Sequence, residues 1–119
     1  MDDFKNKFNE RIYKYALNII NFIGELPKDV ASQVLAKQLM RSGTSVSANI
    51  IEAKSASLKK DYINFYTHAL KSANESKLWI NLIKDSAKMN GKIADELLRE
   101  TTEISNIIGA SIITMKKKI

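Results

Sequence analysis

The chain contains no cysteine, one proline, four glycines and one histidine in 119 residues. Without cysteine it has no disulfide, no thiol nucleophile and no zinc site built on thiolates. A single histidine, His68, excludes any site that needs two imidazole ligands, and we expect it on a polar face or at an interface. So few turn-forming residues argue against a domain of many short strands. These shortages favour an all-α protein without a metal centre or a cofactor.

Long hydrophobic runs are also missing. No apolar stretch approaches the roughly 18 residues of a membrane span, and Met1–Phe8 carries charges where a signal peptide needs an apolar segment. Hydrophobic residues still make up 45% and charged residues 27% of the chain, which is typical of folded globular proteins. We therefore expect one cytoplasmic domain covering residues 1–119.

Apolar residues recur at helical spacing through almost the whole chain. The clearest stripe steps alternately by four and three residues: Phe8, Ile12, Tyr15, Ile19, Phe22 and Leu26. Turn-forming residues interrupt the pattern and predict helices over about 3–24, 28–53, 58–86 and 92–117, with Pro27 in the first turn of the second helix and Ser57 as N-cap of the third. Four helices with short connections predict an antiparallel up-down-up-down four-helix bundle.

The third predicted helix is apolar around much of its circumference. Beside a stripe that includes Tyr66 and Ile80 runs a second one with Phe65, Trp79 and Leu82. A stripe this wide exceeds what neighbouring helices of a monomer normally cover. The pattern therefore predicts a homo-oligomer with this helix at the subunit interface.

No motif of an enzyme is present. The chain lacks a Gly-x-Ser-x-Gly nucleophile motif and a phosphate-binding glycine loop, and no glutamate stands three residues before His68, as a di-iron bundle requires. We therefore expect no catalytic residues and no metal ligands, and predict that the protein is not an enzyme.

The clearest functional signal is a basic excess. The net charge is +6, and residues 28–60 alone hold six basic residues against Asp29 and Glu52. Two of these cations lie in the first turn of a helix, where the helix dipole disfavours them, whereas the terminal lysines 116–118 suit a helix C-terminus. We hypothesise one phosphate-binding face formed by Lys37, Arg41, Lys54, Lys59 and Lys60. The alternative is a solvated surface whose charge is offset by Asp61 and by acidic residues of a neighbouring chain.

Four segments carry a family resemblance: QLMRSGTSVSANIIEA at 38–53, KKDYINF at 59–65, ALKSANE at 69–75 and LPK at 26–28. They resemble a bacterial family named for reading frames within intervening sequences of 23S ribosomal RNA genes. The resemblance implies a non-enzymatic bundle that assembles into a ring, commonly a pentamer. It also implies a relationship to the accessory variability protein of diversity-generating retroelements, which binds nucleic acid and a reverse transcriptase through a basic ring surface.

Three residues match the family motifs: Asn49, Glu52 and Glu75. Asn49 and Glu52 either fix helix packing as buried hydrogen-bonding groups or contact a partner directly. Residues 53–58 depart from the family pattern, because alanine, serine and leucine replace its glycines, basic residues and N-cap serine. Two functions stay open: binding of structured RNA or DNA through phosphates, or a protein–protein scaffold without a nucleic-acid ligand.

Overall fold

The computed structural model describes the backbone of residues 2–118 and the side chains of residues 4–118. Over this range it consists of four helices and holds no strand: α1 (Asp2–Gly24), α2 (Val30–Ala53), α3 (Lys59–Asp85) and α4 (Gly91–Lys117). The helices lie side by side in a bundle that measures 48 × 21 × 20 Å. The prediction of an all-α protein with four helices is confirmed.

The apolar stripe of α1 forms one wall of the core. Its six residues from Phe8 to Leu26 are all buried, and Ile12, Tyr15 and Ile19 have no exposed surface. Side chains of the other three helices meet them along the length of the bundle, among them Leu39, Val46, Ile50, Ile80, Ile83, Ile104 and Ile108. Burial of this apolar surface drives the helices together, because most helical stability in proteins comes from packing rather than propensity.

The wide apolar stripe of α3 is explained within one chain. This helix packs against α2 on one side and against α4 on the other, so two neighbours share its circumference. Tyr66 and Ile80 are buried, Phe65 and Trp79 are half-buried, and Leu82 is exposed. Two neighbouring helices therefore cover most of this stripe within one chain, and the subunit interface on α3 stays a prediction.

The connections differ in detail from the sequence interpretation. α2 begins at Val30 because the Asp29 carboxylate caps it, accepting a hydrogen bond of 3.0 Å from the backbone N–H of Ser32. Pro27 therefore lies in the connection and not in the first turn of α2. The N-cap of α3 is Leu58, which makes no side-chain cap, so the prediction that Ser57 caps this helix is wrong.

The end of α3 forms a Schellman turn without glycine. Ala87 adopts φ 57°, its N–H donates to the Lys84 carbonyl, and the Lys88 N–H donates to the Ile83 carbonyl, each at 3.0 Å. Alanine strains this turn, because its Cβ disfavours the left-handed conformation. The turn directs the chain into α4, which Asn90 caps by accepting from the Lys92 N–H at 2.8 Å.

Candidate functional site

One end of the bundle joins the start of α1, the end of α2, the start of α3 and the end of α4. Phe4, Tyr62 and Lys118 line a common cavity there, and Lys54 borders the groove that Tyr13 also lines. This end collects exposed lysines from all four helices and their connections: Lys5, Lys7, Lys54, Lys59, Lys60, Lys116, Lys117 and Lys118. We call this group the basic end. Glu10, Glu52 and Asp61 are the acidic side chains beside these lysines within residues 4–118.

Lysines at the two ends of the bundle differ in their partners. At the opposite end, Lys84 Nζ lies 2.6 Å from Asp95 Oδ1 and Lys88 Nζ lies 3.3 Å from Asp29 Oδ1. The hydrogen bond that Lys84 donates to the Asp95 carboxylate raises the pKa of Lys84. Among the side chains of residues 4–118, none of the basic-end lysines makes an ion pair. Lys28 and Lys92 at the opposite end also lack an ion pair in this range, so the basic end is distinguished by its eight exposed lysines.

The five residues of the hypothesised phosphate-binding face are placed in two groups. Lys54, Lys59 and Lys60 lie together at the basic end, around the connection between α2 and α3. Lys37 and Arg41 lie further back on α2, about 25 Å and about 20 Å along the helix axis from Lys54 at 1.5 Å per residue. The arrangement brings three of the five together and leaves two apart.

Arg41 already has protein partners. Its guanidinium donates to Gln38 Oε1 at 2.8 Å and makes an ion pair with the Glu75 carboxylate. Glu75 also accepts from Trp79 Nε1 at 3.0 Å. The Arg41 hydrogen bond, followed by that of Trp79, holds the pKa of Glu75 below its ordinary value. This cluster connects α2 to α3, so Arg41 must release the Glu75 carboxylate before it can contact a phosphate.

The two other family-motif residues have different surroundings. Asn49 is half-buried, and its Nδ2 donates to the Ser45 carbonyl at 2.9 Å and to Ser45 Oγ at 3.1 Å. Ser45 in turn accepts from Ser72 of α3 at 2.9 Å. Glu52 is exposed near the basic end. Asn49 is therefore connected to the contact between α2 and α3, whereas Glu52 faces solvent.

Sequence reasoning left out the basic-end lysines nearest the ends of the chain. Lys5 and Lys7 belong to a segment without net charge, and lysines 116–118 were assigned to the helix dipole. The predicted topology could have identified these lysines. In an antiparallel bundle with an even number of helices and short connections, both ends of the chain lie at the same end of the bundle. Placing the lysines on that topology groups both termini with Lys54, Lys59 and Lys60.

A cavity of about 510 Å³ opens at the basic end between α1, α3 and α4. Its walls are mainly apolar, and Lys5 and Lys118 are the charged side chains that line it. The Lys5 ammonium lies 5.6 Å from the centroid of the Tyr62 ring, within the range of a cation–π contact. Apolar surface and positive charge therefore meet in one concave site.

One group of exposed apolar side chains lies on α1 and the adjoining side of α2. Tyr13, Leu17 and Ile20 follow helical i, i+4, i+7 spacing on α1 and are 64%, 45% and 46% exposed. Ile51 of α2, which is 41% exposed, lines the same groove as Tyr13. We call these four residues the α1–α2 face.

Two further classes of site were searched for in the described part of the chain. No group of three or more histidine, aspartate or glutamate side chains there is arranged to hold a metal ion, and His68 is exposed on α3. Within the same residues, no helix combines the length and the apolar character that crossing a bilayer requires.

Comparison with known proteins identifies a family and a similar solved structure. The model of the family described as 23S rRNA-intervening sequence protein matches residues 5–110. The crystal structure of a protein of unknown function from the S23 ribosomal protein family of Bacteroides thetaiotaomicron is 31% identical in sequence. It superposes with a TM-score of 0.84 over 91% of this chain and 96% of that chain. No curated protein matches this chain.

Proposed function

Because this chain belongs to the 23S rRNA-intervening sequence protein family, we propose that it is a non-enzymatic, homo-oligomeric bundle that binds structured RNA or DNA through the phosphates at its basic end. One observation carries the proposal: eight exposed lysines gather at the basic end, and none of them makes an ion pair within residues 4–118. Phosphates are the anions that such a cluster matches in nucleic acids. A cytoplasmic location belongs to the same proposal.

The topology proposed for this bundle is antiparallel, up-down-up-down. Two hydrogen bonds between α2 and α3 support it: Ser42 Oγ lies 2.8 Å from Ser76 Oγ, and Ser72 Oγ donates to Ser45 Oγ at 2.9 Å. The partner's number falls along α3 as the residue number rises along α2, which is the order of antiparallel helices. This topology matters for function because it groups both chain termini with the connection between α2 and α3.

Salt dependence of binding tests the phosphate contacts. Each phosphate neutralised on duplex DNA contributes about −0.9 to the slope of log affinity against log salt. Lys59→Gln with Lys60→Gln should therefore make the slope shallower by about 1.8, measured by fluorescence anisotropy with labelled duplexes between about 50 and about 200 mM salt. Parallel titrations with RNA and DNA duplexes identify the preferred ligand.

A matched control lies on the same helix. Lys71→Gln with Lys77→Gln removes the same charge from α3 at least about 16 Å along its axis from Lys60, and should leave the slope unchanged. A wild-type protein that binds neither duplex at about 50 mM salt contradicts the proposal, as does a slope that both double variants change equally.

The α1–α2 face supports the oligomeric part of the proposal. Four exposed apolar side chains on one side of a small protein favour burial against another protein surface. The family resemblance makes a ring the expected assembly, with a pentamer as its expected stoichiometry. Since ring contacts repeat one surface pair around an axis, a single substitution affects every interface of the ring.

Light scattering tests the assembly. Leu17→Glu places a charge on the α1–α2 face and should shift the molar mass toward the 13.4 kDa of one chain. Ile113→Glu is the control, because Ile113 is 57% exposed on α4, outside this face. A wild-type protein that is monomeric at all concentrations contradicts self-association. The α1–α2 face would then favour the alternative function, a scaffold for a different protein.

A further inference from the structure

The cavity at the basic end has the size of a small-molecule site. It lies between the first turn of α1, the first turns of α3 and the last turns of α4, and its volume is about 510 Å³. Ligand sites in proteins commonly measure about 300 to 1,000 Å³. Since α1 and α4 approach each other little along the bundle, the space between them at this end is not filled by backbone.

The walls of the cavity consist of stacked aromatic rings and aliphatic side chains. Phe4 stacks on Phe8 with 6.4 Å between ring centroids, and Tyr62 stacks on Tyr66 with 5.0 Å. Met115 completes the wall on α4. Phe4 remains 61% exposed although it lines the cavity, so an apolar occupant would remove its ring from water.

The charges that line the cavity have one sign. Within the described residues, Lys5 and Lys118 line it and no carboxylate does. Burial raises the pKa of Tyr66, whose hydroxyl lies 3.3 Å from that of Tyr62. The Tyr66 phenol therefore stays neutral at physiological pH and does not repel an anion.

Apolar walls with cationic side chains select an amphiphile with an anionic head. An inorganic anion would leave the aromatic wall in water, and an uncharged hydrocarbon would gain nothing from the lysines. The geometry points to a single-chain carboxylate of the fatty-acid class, with its carboxylate at Lys5 and Lys118 and its alkyl chain against Phe4, Tyr62 and Met115. The cavity shares Lys5 and Lys118 with the basic end, but Lys59 and Lys60 do not line it, so their replacement separates the two kinds of binding.

Dodecanoate is the probe, used without nucleic acid. Calorimetric titration should give saturable binding of one molecule per chain. Affinity should rise about fourfold for each methylene added between octanoate and dodecanoate, because each buried methylene contributes a constant increment. In protein with ¹³C-methyl methionine, the Met115 signal should shift with the same saturation curve. The Met40 and Met89 signals should not move, because these residues do not line the cavity.

Two variants separate the charge from the cavity. Lys5→Gln with Lys118→Gln should weaken dodecanoate binding about fivefold, as expected for loss of two exposed charge pairs. Lys59→Gln with Lys60→Gln removes the same charge nearby and should leave dodecanoate binding unchanged. Thr114→Trp, at an exposed position that lines the cavity, should abolish binding while the helical circular dichroism stays as in the wild type.

Three results would overturn the inference. One is wild-type protein without saturable dodecanoate binding. Another is binding that is independent of chain length or leaves the Met115 signal unmoved, whether or not Thr114→Trp folds. The third is wild-type protein that does not bind dodecanoate and forms an assembly, together with a Thr114→Trp variant that does not assemble. In that case a second copy of the chain covers the cavity.

Discussion

Replacement of Gly43 by alanine should reveal how closely α1 and α2 approach each other. A Cβ atom at Gly43 would lie 3.0 Å from Cδ1 and Cγ1 of Ile19 and 3.1 Å from its Cγ2. Ile19 has no exposed surface and cannot move into solvent. The same approach allows Ser47 Oγ of α2 to donate to the Ile12 carbonyl of α1 at 2.9 Å. An added methyl group therefore requires the Ile19 side chain, or one of the two helices, to shift by a few tenths of an ångström.

Two opposing effects determine the size of the change. Alanine in place of glycine favours a helix interior by about 1 kcal/mol. Overpacking of a filled core costs about 1 to 3 kcal/mol. Gly43→Ala should therefore lower the free energy of unfolding by up to about 2 kcal/mol. Gly109→Ala is the matched control, because nothing lies within 4 Å of its new Cβ. It should raise the free energy of unfolding by up to about 1 kcal/mol.

Urea unfolding followed by circular dichroism, at one protein concentration, measures both variants. The difference between them isolates packing, since the gain in helix propensity is common to both. Ile19→Val should recover part of the loss in the Gly43→Ala background, because it removes one of the two closest atoms. Equal stabilisation by Gly43→Ala and Gly109→Ala would refute the close approach of α1 and α2.

Three further predictions concern single side chains. Tyr15→Phe removes a hydroxyl 2.7 Å from Thr101 Oγ1 and should lower the free energy of unfolding by about 1 kcal/mol at neutral pH. Burial raises the pKa of Tyr15 to about 12, so the stabilising effect of the hydroxyl is lost as pH rises from 10 towards 12. In urea unfolding, the difference in stability between variant and wild type should therefore narrow over this pH range and not widen. Glu75→Gln should lower the free energy of unfolding at pH 7. Because the Arg41 hydrogen bond lowers the pKa of Glu75, the difference in stability between wild type and variant should shrink as pH falls below 4.5. A difference that does not change with pH contradicts a stabilising role of the Glu75 charge. Ala87→Gly should raise the unfolding free energy by about 1 kcal/mol because it relieves the positive φ, and thermal unfolding that is unchanged or lower argues against strain in this turn.

Much of the core follows from the sequence because helical spacing is a local property. The stripe from Phe8 to Leu26 predicts which residues of α1 are buried, and all six are. Helix boundaries are harder to predict where two nearby residues both favour a helix start. Proline at 27 and aspartate at 29 both suit a helix start, and the carboxylate of Asp29 determines it because it satisfies a free backbone N–H.

The surface was harder to predict, because charge partners are distant in sequence. Arg41 seemed available for a phosphate, yet its carboxylate partner Glu75 comes from the next helix. The stripe of α3 predicts a subunit interface because its sequence pattern does not show that two helices, α2 and α4, pack against α3 in the same chain. Lys5 and Lys118 lie at opposite ends of the sequence, and only the tertiary structure places them at one cavity.

In the proposed function, the basic end and not the whole surface contacts the nucleic acid. Acetylation of lysines, quantified by mass spectrometry with and without a saturating duplex, tests this contact residue by residue. Lys54, Lys59 and Lys60 should be strongly protected, and Lys71 and Lys77 should react as in the free protein. Equal protection of both groups, or protection confined to Lys71 and Lys77, would contradict binding at the basic end.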